Sequence, residues 1–250
     1  LYTKAGRCSY PYMKRFLKGF LMSLGMFCII PIPYKKWDES CANLVIPFFP
    51  FVGLFVGMLW YGTSLLLDLA GLGTVMLSAF LMLFPYIITG FIHIDGFMDT
   101  SDAILSRRPL EEKLRILKDP HTGAFAVVSV LVLFVICFAG AYEVVSDTGK
   151  LLFLVFIPVI SRSLTGITLL SLKIMPQSGY GLYFKKNTKA IHKISLILTG
   201  FSAAAAMCYL FGGQGLITVA AMTAGFFLSI LCTYRQFGGV SGDISGYALT

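Results

Sequence analysis

The sequence predicts an all-α integral membrane protein of about six transmembrane helices, with an N-terminal re-entrant or interfacial helix and an active site at the cytoplasmic face. Three observations lead there. Hydrophobic residues make up 57% of the 250 and charged residues only 13%, with mean hydropathy +0.81, whereas a soluble domain carries about 25% charged residues. Six segments are apolar over roughly the 20 residues that a helix needs to cross the hydrocarbon core. Lys and Arg gather between those segments, as topology in a membrane demands.

Residues 16–30 come first, after a basic flank. They are short for a crossing and end at Pro31-Ile32-Pro33, so they read as the re-entrant or interfacial helix. A seventh full span is the alternative. The prolines followed by Lys35 and Lys36 stand where a cleavage site of small residues would be, so no cleavable signal peptide is expected. Residues 1–9, opening Leu1-Tyr2-Thr3-Lys4-Ala5-Gly6 without Met, read as a cloning scar, a trimmed start or a disordered leader. The spans then fall at 44–67, 72–92, 123–142, 151–172, 194–211 and 215–233, the third running from Ala124 to Ala141 without a charge.

Orientation follows from the cations. Seven lie before residue 37, five in the 93–122 loop, five in the 173–193 loop and one at Arg235, which is 18 of the 20. Six spans with both ends inside put all of these on the cytoplasmic side of the cell (inner) membrane. One polytopic membrane domain, 1–250, is expected. It has a cytoplasmic catalytic loop at 93–122 and a cytoplasmic basic loop at 173–193. The net charge of +8 is explained by topology, and no nucleic-acid partner is expected because the cations form no exposed stripe. The partner common to the whole chain is the lipid bilayer, and the composition is compatible with a homo-oligomer. The six cysteines, Cys8, Cys28, Cys41, Cys137, Cys208 and Cys232, include no C-x-x-C pair and read as free, packed thiols.

Chemistry concentrates in His93-Ile94-Asp95-Gly96-Phe97-Met98-Asp99-Thr100-Ser101-Asp102. Asp95, Asp99 and Asp102 stand at i, i+4 and i+7, which is one face of a helix. Their mutual repulsion is unfavourable unless a cation neutralises it, so the face reads as an oxygen-ligand site for Mg²⁺ or a similar hard ion. A solvated acidic turn is the competing reading. Gly96 between the acids lets backbone or substrate approach closely. His93 reads equally as a residue with a direct role, such as a ligand, or as a hydrogen-bonded interface residue.

Arg107, Arg108, Lys113, Arg115 and Lys118 follow on a polar helical stretch, then Asp119. Metal-binding acids beside a basic patch suit a phosphate-bearing substrate, because metal and guanidinium share developing charge. Topological bias alone also accounts for these cations. Arg162 lies inside the fourth span, where an unpaired charge is expensive, so it should face the bundle interior with a partner, functional or structural. Ser178-Gly179-Tyr180-Gly181 with Lys185 and Lys186 reads as a flexible basic loop that binds an anion or simply turns. Asp243, in the glycine-rich tail from Phe237 to Gly246, either belongs to a disordered linker or returns to the first cluster as a further metal ligand.

These stretches resemble the cobalamin synthase family over nearly the whole chain. The strings are Phe20-Leu21 through Phe27 to Ile30-Pro31-Ile32-Pro33, then Phe49-Pro50-Phe51-Val52-Gly53 to Gly57 and Gly90-Phe91-Ile92-His93 to Asp102. Lys118-Asp119 before Gly123 and Gly238-Gly239-Val240-Ser241-Gly242-Asp243 complete them. The resemblance implies a Mg²⁺-dependent phosphotransferase of late cobalamin biosynthesis. In it the hydroxyl of α-ribazole or its 5′-phosphate attacks adenosylcobinamide-GDP and releases GMP. It further implies that Asp95, Asp99, Asp102 and Asp243 hold the metal, and that a carboxylate or His93 takes the proton. Arg107, Arg108, Lys118, Asp119, Arg162 and Gly179 would meet substrate. The alternatives are a phospholipid enzyme resembling the CDP-alcohol phosphotransferases, whose longer motif is absent, and a cation-coupled transporter, whose second acid cluster is absent.

Overall fold

A computed structural model describes residues 12–32 and 37–250. The expectations for residues 1–9, for Cys8 and for Lys35 and Lys36 therefore lie outside the described residues. What is described is built from helices, with a single isolated β-bridge between Ile174 and Val240.

Helix α1, Tyr12–Phe27, is 16 residues long, and at 1.5 Å per residue it falls short of the roughly 30 Å hydrocarbon core. It packs on α2, Phe49–Leu69. The chain leaving α1 is anchored where Ile29 N donates to Ile88 O at 3.0 Å. Pro50 starts α2, where its missing N–H is harmless. Along α2, Gly53 and Gly57 form a notch four residues apart. A Cβ on Gly53 would sit 2.4 Å from Pro158 O, and one on Gly57 2.6 Å from Val155 O. Both atoms belong to the backbone of α7, Phe153–Ser171, so the two helices meet main chain to main chain, as small residues permit inside a membrane. Gly57→Leu is accordingly expected to lower stability by about 1–3 kcal/mol or more. Loss of a monodisperse peak in detergent and a lower melting temperature would register it.

Helix α7 is the centre of the molecule, with α2 on one side and α9, Ala190–Phe237, on the other. Glycines again allow the second contact. Gly166 faces Leu196, and Gly200 faces Ser163, whose Cβ lies 2.8 Å from where a Cβ on Gly200 would stand. The 48 residues of α9 are interrupted at Gly212, whose φ of 57° and ψ of −128° are not helical. There the chain folds back, so that Gly215 touches the backbone of Met207 and Cys208. The sequence-derived break between residues 211 and 215 falls at this turn.

Helix α6, Ala124–Val145, has only Ala126 and Val145 buried and presents Val128, Leu131, Val132, Val135 and Ile136 outward, a surface whose solvent is lipid. Among the described residues four helices, Phe49–Leu69, Ala124–Val145, Gly149–Ser171 with its leading 3₁₀ turn, and Ala190–Phe237, are long and apolar enough to cross a membrane.

The second expected span is corrected in shape. Helix α3, Thr74–Ile88, ends at Ile88, and the chain then turns 92° into α4, Ile92–Leu105. Gly90 and Phe91 make the elbow with φ of 63° and 60°. Ile29 packs so close to Gly90 that a Cβ there would lie 2.4 Å from Ile29 Cγ2, while Thr89 Oγ1 donates back to Pro85 O at 2.7 Å. The expected 93–122 loop is thus largely helical, as α4 and α5, Leu110–Ile116. The basic loop after α7 contains α8, Gly179–Asn187, and the glycine-rich tail is helix α10, Gly242–Leu249, rather than a linker.

Candidate active site

Asp95, Asp99 and Asp102 do share one face of α4, which lies outside the long apolar helices and across the end of α3. What brings Asp243 to them is the packing of α10 on α4. Gly96 admits the Asp243 backbone, whose O and Cα would lie 2.7 and 2.8 Å from a Cβ at that position. One turn along α10, Gly246 rests on His93 O and on the Cα of Gly96, and Phe97 stacks on Tyr247 with ring centroids 5.3 Å apart. Ser241 starts α10 by accepting a hydrogen bond from Ile244 N at 3.2 Å. The approach to it is fixed by Met175 N donating to Val240 O and Val240 N donating to Lys173 O, each at 2.9 Å. The chains leaving α7 and α9 are thereby clipped together.

The four carboxylates interact. Asp99 is pushed up to about 6, first by burial and then by the charges of Asp95, Asp243 and Asp102. Asp243 is raised as well, by burial ahead of any charge. Asp102 has a second partner, since Ala126 N in the first turn of α6 donates to its Oδ1 at 3.3 Å, where the helix dipole favours an anion. Gly123 is the N-cap of α6, and any Cβ on it would fall 2.2 Å from both Asp102 carboxylate oxygens. Among the described residues no three of His, Cys, Asp and Glu converge to enclose an ion. The face is open on its solvent side, with Asp95 exposed.

His93 points the other way. It is 8% exposed, its ring lies between Phe27 and Phe49 at 6.3 and 6.1 Å, and its Nε2 has no protein partner among the described residues. Burial first, and the Arg162 guanidinium second, hold the imidazole well below the usual histidine range. Arg162, 3% exposed, does face the bundle interior. Its guanidinium lies over the Phe49 ring at 5.5 Å, and Nη1 donates to Pro158 O at 3.4 Å. No carboxylate pairs with it among the described residues. His93 and Arg162 line a separate cavity of about 300 Å³ between α2, α3, α6 and α7.

Lys118 and Gly179, far apart in sequence, meet Asp243 at one pocket of about 230 Å³. Arg107 and Arg108 are exposed on the turn after α4, with Arg107 at a φ of 51°. Asp119 is exposed and turns its carboxylate onto His121, accepting from the backbone N at 2.9 Å. Sequence reasoning passed over Gly246, which sets the α4–α10 distance, and Ser241, whose place before Gly-Asp is a helix-start signal. It also passed over the apolar wall of the pocket, Leu114, Leu117 and Met175, which looks like ordinary core.

A family model described as cobalamin-5-phosphate synthase matches residues 19–250. A Clostridium botulinum protein named adenosylcobinamide-GDP ribazoletransferase is 42% identical over 241 residues, covering 95% of this chain and 94% of that relative. A Clostridium perfringens protein of the same name is 39% identical over 237 residues, with 95% and 94% covered. One from Lachnoclostridium phytofermentans is 32% identical over 242 residues, with 94% and 90% covered. No solved structure matches.

Proposed function

Because the chain belongs to the cobalamin-5-phosphate synthase family, we propose that it joins α-ribazole or its 5′-phosphate to adenosylcobinamide-GDP on the α4–α10 face. The protein is a transferase of cobalamin synthesis. The relatives' name supplies the two substrates, and the family description, with its 5-phosphate, favours the phosphorylated acceptor. The observation that carries the reading is the crowding of Asp95, Asp99, Asp102 and Asp243 on one solvent-facing surface beside Lys118.

The acceptor hydroxyl attacks the phosphorus bonded to cobinamide oxygen. A new P–O bond forms, the P–O–P linkage breaks, and GMP leaves with the electron pair. A carboxylate of this cluster that is not engaged by a cation takes the hydroxyl proton. His93, enclosed between Phe27 and Phe49, supports the first turn of α4 instead. Arg107, Arg108 and Lys118 meet phosphate oxygens.

The donor set fits Mg²⁺. It consists of hard carboxylate oxygens whose repulsion a cation relieves, and an open face suits an ion that keeps several waters and takes only one or two carboxylates plus substrate phosphates. Asp99 with Asp95 or Asp243 would hold it, with Asp102 partly committed to α6. Bound there, it would neutralise charge on the diphosphate. The distribution of cations and the fold-back at Gly212 support six crossings, with both ends and this face on the cytoplasmic side.

The test is GMP release from adenosylcobinamide-GDP and α-ribazole 5′-phosphate by the protein in liposomes. Mg²⁺ is expected to be required. Asp95→Ala should lower the rate by roughly 10²–10³-fold without lowering the melting temperature. Mg²⁺-independent release, or full activity in the variant, contradicts the reading.

A further inference from the structure

We propose that the pocket between α5, the turn before α8 and the start of α10 holds the aromatic base of the acceptor nucleoside, with Leu114, Leu117 and Met175 as its specificity-determining walls. The inference rests on the transferase reading and assigns one of its two substrates to a place.

Size comes first. The pocket is about 230 Å³, below the ~300–1,000 Å³ that encloses a whole drug-sized ligand, so it suits one ring system rather than a complete nucleotide. Its walls then discriminate between the two bases in the reaction. Met175 is buried, and Leu114 and Leu117 pack on the same apolar cluster. The Ser241 hydroxyl is already engaged in capping α10. The other polar groups in the lining are Gln177 and Ser178, together with Lys118 and Asp243.

Guanine carries donors and acceptors on both edges, and those turned toward Leu114, Leu117 and Met175 would stay unpaired, each at a penalty of ~1–3 kcal/mol. The benzimidazole of α-ribazole has an apolar carbocycle and a single free ring nitrogen. It places its carbocycle against Leu114, Leu117 and Met175 and its nitrogen toward Ser178 or Gln177. Tyr180, 73% exposed at the rim, offers a ring face to cover the base.

Direction completes the argument. The same pocket is also lined by Asp243, whose charge is felt by Asp99, and by Lys118. A nucleoside seated base-inward extends its ribose toward the carboxylates, where the hydroxyl must be deprotonated, and leaves a 5′-phosphate within the reach of Lys118.

The test uses the protein in detergent and follows α-ribazole by its own benzimidazole fluorescence, so that binding is read independently of catalysis. Wild type and Asp95→Ala are expected to bind. Leu117→Asp and Leu114→Ala should weaken binding by roughly 10-fold or more, as loss of apolar pocket contact does, with melting temperatures verifying the fold. Lys118→Ala should weaken the 5′-phosphate but not α-ribazole. Unchanged affinity in both leucine variants, or displacement of α-ribazole by excess GMP, would overturn the assignment. Binding with these variant effects but without transfer would leave the pocket assigned and sink the transferase chemistry instead.

Discussion

Asp99→Asn should slow transfer by roughly 10²–10³-fold and at the same time make the cation-free protein more stable. The carboxyl of Asp99 is raised to about 6 by burial and by Asp95, Asp243 and Asp102. A raised carboxylate pKa means that the folded state holds this proton more tightly than the unfolded state. Stability from that preference is therefore fully present below the unfolded value of about 4 and is lost as pH rises through about 6. Near pH 7.5 the ionised side chain opposes folding unless a cation screens it, and asparagine removes that charge at nearly constant shape. The melting temperature of the variant without divalent metal should exceed wild type by a few degrees at about pH 7.5, and the difference should shrink as pH falls through about 6 and vanish below about pH 4. Added Mg²⁺ should stabilise wild type, with the logarithm of one plus ligand over dissociation constant, and leave the variant nearly unmoved. A variant that melts lower than wild type under cation-free conditions would show that Asp99 is structural. Stabilisation together with loss of roughly 10²–10³-fold in rate is the signature of a site that keeps repulsion for function.

The carboxylates of α4 were legible because helical periodicity is local, and three acids at i, i+4 and i+7 allow one geometry. The apolar segments were legible for the same reason, since lipid leaves a continuous stretch little choice but helix. The elbow at Gly90 and Phe91 was not. A left-handed phenylalanine is unfavourable on its own, and only Ile29, sixty residues earlier in the chain and packed under Gly90, shows why the bend is held. Nor was α10 legible as a helix, because Gly242 and Gly246 in an eight-residue stretch argue against helix until the close approach to α4 explains them. Arg162 was correctly expected to face inward. Its neighbours, an aromatic ring and a histidine rather than a carboxylate, are a consequence of tertiary packing that no span pattern contains. The pocket drew its walls from α5 and from the segment after α7, two stretches that share no motif.

Substitution of Gly96 by valine tests whether the separation of α4 and α10 sets activity. A Cβ there meets the Asp243 carbonyl oxygen and Cα within 2.8 Å, and both are backbone, so neither can swing aside. Helix α10 must move as a unit, carrying the Asp243 carboxylate away from Asp99. Misplacement by about 1 Å can reduce a rate by roughly 10²-fold, and here it should do so with a further sign of its cause. As Asp243 withdraws, one source of repulsion on Asp99 is removed, and the apparent pKa controlling cation binding should fall toward the ordinary carboxylate range. Gly225 in α9 offers the control, because nothing lies within 4 Å of a Cβ placed there. Gly225→Ala should leave the rate unchanged and stabilise the helix by up to ~1 kcal/mol. Gly96→Ala, with the same added methyl as the control, should already impair transfer. Equal behaviour of the two alanine variants would mean that the glycine at the centre of the acidic motif serves flexibility rather than contact. A rate loss confined to position 96, without a matching loss of stability, would locate the catalytic requirement in the distance between two helices.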